Sequence, residues 1–108
     1  MLLFRILLIF LVFININLLS SIDYKLKNIR FSDNQQSKSL RIVLDLTHKA
    51  PYTVFSLNNK PRLVIDLESK SEIKKFKNDS IYIKNIRTRK TDQGVMRIVF
   101  DINSNFYI

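Results

Sequence analysis

Residues 41–46 read RIVLDL, and nearly the same six letters return as RLVIDL at 62–67 and as RIVFDI at 97–102. Successive side chains of a strand point to opposite faces, so each copy divides into an apolar face and an Arg-Val-Asp face. Ile42, Leu44 and Leu46 fall on one side, as do Leu63, Ile65 and Leu67, and Ile98, Phe100 and Ile102. Burying one such side chain contributes about 1.5–3 kcal/mol, so these nine residues are the expected centre of a β core.

The motif belongs to a longer repeat. LKNIRFSDNQQSKSLRIVLDL (26–46) matches IKNIRTRKTDQGVMRIVFDI (83–102), with Lys-Asn-Ile-Arg verbatim and the Arg-Ile-Val-x-Asp core following after nearly the same interval. Two copies are too few for a solenoid, so two similar halves about an approximate two-fold axis is the simpler architecture. YTVFSL (52–57) alternates between RIVLDL and RLVIDL, with Thr53, Phe55 and Leu57 on one side. The short joints THKAP and NNKP suit hairpins, which makes 41–67 an expected three-stranded antiparallel meander. IDYKLKNIRF (22–31) and SIYIKNIR (80–87) add an opening strand to each half, SDNQQSKS (32–39) reads as an exposed loop, and SEIKKFKND (71–79) as the polar connection between halves.

The expected fold class is therefore all-β, two small antiparallel sheets, one from each half of an internal duplication, packed as a symmetric sandwich. In the second half RIVFDI is followed only by NSNFYI, without a counterpart to the closing hairpin YTVFSL…RLVIDL. The last hairpin is missing on this reading, the domain is C-terminally incomplete, and the final strand is expected to leave an unpaired edge.

The outward face carries Arg at the first motif position and Asp at the fifth, about 13 Å apart along one strand. They cannot pair within a strand but can pair with neighbours across a sheet. Two readings stay open: a solvated, partly paired face that keeps the sheet soluble, or a binding surface written the same way three times. Outward Val43, Val64 and Val99 between the charges favour the second, although β propensity alone could supply a valine there. The candidate binding residues are Arg41, Asp45, Arg62, Asp66, Arg97 and Asp101.

The first 21 residues have a different character. Met1–Arg5 holds one cation, residues 6–16 are almost wholly apolar apart from Asn15, and the chain turns polar after Ser20 and Ser21. A run this short suits a secretory signal better than a spanning helix, with an uncleaved anchor as the alternative. Residues 22–108 then form the exported domain. The 108-residue chain has 18 basic and 9 acidic side chains, a formal charge of +9, and loss of Arg5 leaves about +8. Such a field attracts polyanions and anionic surfaces, which outside the cytoplasm are cell-wall polymers and lipid head groups.

Catalytic classes find little support. There is no cysteine, one histidine (His48, in THKAP) and one glycine. A hydrolytic zinc centre needs about three protein ligands and a general base, and a phosphate loop needs several glycines. No cofactor is expected. A nucleic-acid binder needs aromatic stacking platforms on an exposed face, whereas the alternation turns Phe55 and Phe100 inward.

RIVLDLTHKAPYTVFSLNNKPRLVIDL (41–67), with Arg-x-Val-x-Asp-Leu, Tyr-x-Val-Phe-x-Leu and Pro-Arg-Leu-Val-Ile-Asp-Leu in order, resembles the central motif of AMIN domains, and IRTRKTDQGVMRIVFDI resembles their later part. The resemblance runs from about Ile22 to the end. It implies two symmetric sheets, a periplasmic location and a non-catalytic module that binds peptidoglycan. Such modules stand at the N-terminus of N-acetylmuramoyl-L-alanine amidases, which act in cell-wall turnover and septum splitting, and alternatively in type IV pilus secretins. Envelope or divisome proteins are further implied partners, and a full-length parent of the first kind would be a zinc amidase. In the family the repeated motif lines the exposed sheet faces, which agrees with the six candidates above.

Overall fold

In the computed structural model, residues 24–70 and 74–108 are described; the apolar segment 1–21 and its expected role in export lie outside them. Six strands follow in order: β1 (Leu26–Asn34), β2 (Ser39–Leu46), β3 (Tyr52–Leu57), β4 (Arg62–Glu68), β5 (Ile83–Lys90) and β6 (Val95–Ile102). There is no helix among the described residues. The strands form two antiparallel sheets, β1-β2 and β3-β4-β6-β5.

The all-β class and the two sheets stand, but the strands are shared out differently from the expected halves. RIVLDL does not join a meander with YTVFSL. Among the described residues it pairs with β1 alone, and the β3–β4 hairpin from the same half crosses to pair with β6 of the other. The final motif strand is consequently no edge: β6 lies between β4 and β5. The sheets are unequal for the same reason, two strands against four. Alternation specifies which face of a strand is apolar, but it leaves open which neighbour completes the ladder.

The duplication survives in the hairpins. Both β1 and β5 carry a bulge inside Lys-Asn-Ile-Arg, between Leu26 and Asn28 and between Ile83 and Asn85. The one-residue difference between the repeats is absorbed in the turns. Residues 35–38 join Asn34 to its partner Ser39, whereas Thr91 N–H donates to the Val95 carbonyl at 2.8 Å around residues 92–94. Lys38 (φ 50°) and Gly94 (φ 79°) hold the left-handed conformation that ends each turn. SDNQQSKS is thus mostly strand and tight turn, because the ladder runs on to Asn34 and resumes at Ser39.

All nine expected inward residues face a single core. Ile65, Leu67, Ile98, Phe100 and Ile102 are buried in it, and Ile42, Leu44, Leu46 and Leu63 pack against it. The small sheet contributes Leu26 and Ile29, and Phe31 meets Phe100 edge to face with ring centroids 6.1 Å apart. Asp33, at the far end of β1, accepts hydrogen bonds from Ser80 Oγ (2.7 Å) and Ile81 N–H (2.9 Å). These contacts tie β1 to the segment entering β5.

YTVFSL faces the other way from the expectation that Phe55 is buried. Its register sets Phe55 opposite Val64, on the outer face, and Tyr52 and Val54 opposite the buried Leu67 and Ile65. As the outermost strand of the larger sheet, β3 has little over it on either side, and Phe55 is 37% exposed. Edge position overrides the alternation rule here, which presumes one buried and one wet face.

Candidate binding face

The outer face of the four-stranded sheet is built where two copies of the Arg-x-Val-x-Asp motif meet. Because β4 and β6 run antiparallel, the motif pairs with itself reversed: Arg62 stands opposite Asp101, Val64 opposite Val99, and Asp66 opposite Arg97. The adjoining strands extend these three rows to Leu57, Phe55 and Thr53 on β3 and to Asn85, Arg87 and Arg89 on β5.

Two bidentate ion pairs lie across the face. Arg97 donates from Nε and Nη2 to the two Asp66 oxygens at 2.8 and 2.9 Å. Arg87 does the same to Asp101 at 3.0 and 2.8 Å. The Arg97 guanidinium also stands over the Phe55 ring, 5.9 Å from its centroid, within cation–π range. The paired fork holds the Asp66 carboxyl below the usual aspartate range, chiefly through the hydrogen bonds from Arg97, against a smaller opposing effect of burial. Val64, between Phe55 and Val99 in the ladder, is only 3% exposed, so this outward valine is packing rather than contact surface.

Arg62 takes a different course. Its guanidinium donates to the carbonyls of Lys60 and Asn59, both at 3.0 Å, and closes the β3–β4 turn. Beside it a shallow depression opens among Lys60, Arg62, Lys84, Arg87 and Asp101. Asp101 is already neutralised by Arg87, so the depression presents an excess of positive charge. It runs on past Lys84 and Arg87 into a second depression bordered by Lys74, Lys75 and Phe76. Lys84 is the extra residue of the β5 bulge, a device that re-aims a side chain.

The six residues singled out by sequence do not make one site. Arg62, Asp66, Arg97 and Asp101 share this face, whereas Arg41 and Asp45 lie on the outer face of the small sheet. There Arg30 grips Asp45 at 2.7 and 2.9 Å, and those hydrogen bonds hold the Asp45 carboxyl below its ordinary range. Sequence reasoning passed over Arg30, Arg87 and Lys84. The signal was available, since all three lie in the verbatim Lys-Asn-Ile-Arg repeat or its bulge. His48 is an exposed loop residue with Nδ1 3.3 Å from Thr47 Oγ1. Among the described residues, no three His, Asp or Glu side chains converge on a point. Phe55 is the one aromatic of the three rows.

A family model described as "AMIN domain" matches residues 28–107, most of the chain and all six strands apart from the first two residues of β1. No curated protein and no solved structure is significantly similar to the chain.

Proposed function

The chain belongs to the AMIN domain family, and from that premise we propose that it is a non-catalytic module that holds its parent protein on peptidoglycan in the periplasm, with the cationic depression of the four-stranded sheet as the contact. The family is a peptidoglycan-targeting one found in amidases and secretins. The observation that carries the reading is the convergence of Lys60, Arg62, Lys84 and Arg87 around one internally neutralised carboxylate. Peptidoglycan stem peptides present carboxylates, and cations on a shallow, open surface suit a repeating anionic polymer better than an enclosed small molecule. Asp66 and Arg97 hold each other and keep β4 against β6, so they support the face, and Arg41 and Asp45 form a separate patch.

The short apolar run 6–16 and the polar switch after Ser21 support export through residues 1–21, as a cleaved signal or an anchor. The finer assignment is the targeting segment of a cell-wall amidase acting in septum splitting, with a pilus secretin as the second reading. A zinc-hydrolase sequence in the reading frame after Ile108 favours the amidase, and a channel domain favours the secretin.

The test is co-sedimentation of residues 22–108 with purified sacculi. The chain should pellet with them, less so as salt rises because the contact is ionic. Arg62→Ala with Lys84→Ala should weaken pelleting several-fold, and Arg41→Ala should not. Equal pelleting of the folded double variant moves the contact elsewhere.

A further inference from the structure

We propose that the groove along the outer edge of β5 takes an extended acidic segment of another protein, laid beside the strand through main-chain hydrogen bonds to Ile86 and Thr88. Three observations lead there.

The first is where the backbone of β5 points. Ile102 N–H donates to the Pro61 carbonyl on the β4 side at 2.9 Å, and Asn103 N–H donates to the Tyr82 carbonyl on the β5 side at 3.0 Å. Alternation carries this pattern back along β6. Ile98 and Phe100 bond toward β4, while Arg97 and Val99 bond toward their partners Arg89 and Arg87. Ile86 and Thr88, which alternate with those partners, consequently turn N–H and C=O away from β6. Asn85 Oδ1 accepts from the Ile86 N–H at 3.0 Å, a local stand-in for a ladder partner. Strand β5 ends its sheet, and so does its equivalent β1, so the outer position belongs to the repeat itself.

The second is a wall standing off that edge. The second depression lies between residues 74–78 and β5, with Lys74, Lys75, Phe76, Lys84, Ile86 and Thr88 on its sides. No β6 residue lines it among the described residues. Lys74 Nζ donates to the Lys27 carbonyl of β1 at 2.7 Å and sits 5.5 Å from the Phe76 ring centroid, which holds the wall in place. The wall meets the start of β5 where Asn78 Nδ2 donates to the Ile83 carbonyl at 2.8 Å, and it leaves the groove beyond.

The third is the chemistry of the groove. No Asp or Glu lines it among the described residues, and Lys75 and Lys84 are exposed. Phe76 and Ile86 pack against the core on the inner side, whereas Arg87 and Arg89 lie on the outer side. A strand added there meets apolar side chains on one face and cations on the other, which selects a partner that alternates acidic and apolar residues. The same cations repel a second copy of β5, so the chain itself is not the occupant.

The probe is a fluorescein-labelled peptide, Glu-Val-Glu-Val-Glu-Val-Glu, titrated by anisotropy with the full chain in mild detergent. It should bind, and more weakly as salt rises. Two further versions carry N-methyl groups at the valines or at the glutamates, with charge and side chains unaltered. Since one edge of the peptide faces Ile86 and Thr88, one version should bind at least about tenfold more weakly than the other. Lys75→Glu should weaken binding several-fold, and Lys38→Glu, the same charge change at the β1–β2 turn, should leave it near the parent value. Amide exchange followed by NMR should slow at Ile86 and Thr88 on binding, and not at Val54 on the β3 edge. Equal binding by the two methylated peptides would reduce the contact to charge attraction and overturn the proposal. So would absence of binding at low salt, slowing at Val54 instead, or slowing of Ile86 and Thr88 by muropeptides released from sacculi and not by the acidic peptide.

Discussion

Arg97 on β6 donates two hydrogen bonds to Asp66 on β4, at 2.8 and 2.9 Å, and thereby fastens the first half of the duplication to the second. Both side chains keep some solvent contact, 37% and 22%. The pair therefore contributes more to choosing the register of β4 on β6 than to raw stability. A one-residue slip would set Arg62 and Asp66 opposite apolar residues of β6 and turn the apolar face outward. A double-mutant cycle with Arg97→Ala and Asp66→Ala, read by denaturant unfolding, should give a coupling of about 0.5–1 kcal/mol.

The same pair, with Arg30–Asp45, sets an acid limit. Both carboxyls titrate below the ordinary aspartate range in the folded chain, so the unfolded chain binds the proton first as pH falls. Their contribution is complete above an unfolded value of roughly 3.9 and disappears as pH drops through the folded values. Carboxyl NMR titration should find the Asp66 midpoint lowered in the parent chain and returned toward the ordinary range in Arg97→Ala. An unmoved midpoint would mean that the fork is not formed in solution.

Phe100 carries much of the contact between layers. It is fully buried on β6 and meets Phe31 of the small sheet edge to face. Phe100→Ala should cost about 3–5 kcal/mol, enough to unfold a domain this small, and Phe100→Leu should cost much less because most of the volume is kept. Thermal unfolding followed by circular dichroism checks both.

Turn chemistry offers a change in the stabilising direction. Gly94 ends the β5–β6 turn with φ 79°, and the equivalent place in the first repeat is filled by Lys38 at φ 50°. A side chain in that region is strained by about 1–2 kcal/mol, part of which glycine relieves at some cost in unfolded-state entropy. Lys38→Gly should raise stability by about 0.5–1 kcal/mol. Gly94→Ala should lower it by about 1 kcal/mol through backbone strain alone, since a Cβ there meets no atom within 4 Å.

Export can be checked independently of the fold. An alkaline phosphatase fusion at Asn34 should be active, because the charged start and short apolar run precede it. An inactive fusion accumulating in the cytoplasm would remove both the signal assignment and the periplasmic role.

The sequence by itself determined the elements and their faces. The two-residue alternation of RIVLDL, RLVIDL and RIVFDI placed nine core residues correctly, and the repeated Lys-Asn-Ile-Arg marked two equivalent hairpins, because these are local properties of a strand. Tertiary structure alone decided the neighbours. Nothing in YTVFSL or RLVIDL says that their hairpin docks on β6 rather than on the preceding β2, since all three motif strands offer the same self-complementary edge. The choice depends on how the chain can reach across the core between Leu46 and Tyr52. That single choice placed β6 between β4 and β5 and brought Arg62, Lys84 and Arg87 together around Asp101. It also turned Phe55 outward, because which face of an edge strand is wet depends on its ladder partner and not on its own alternation.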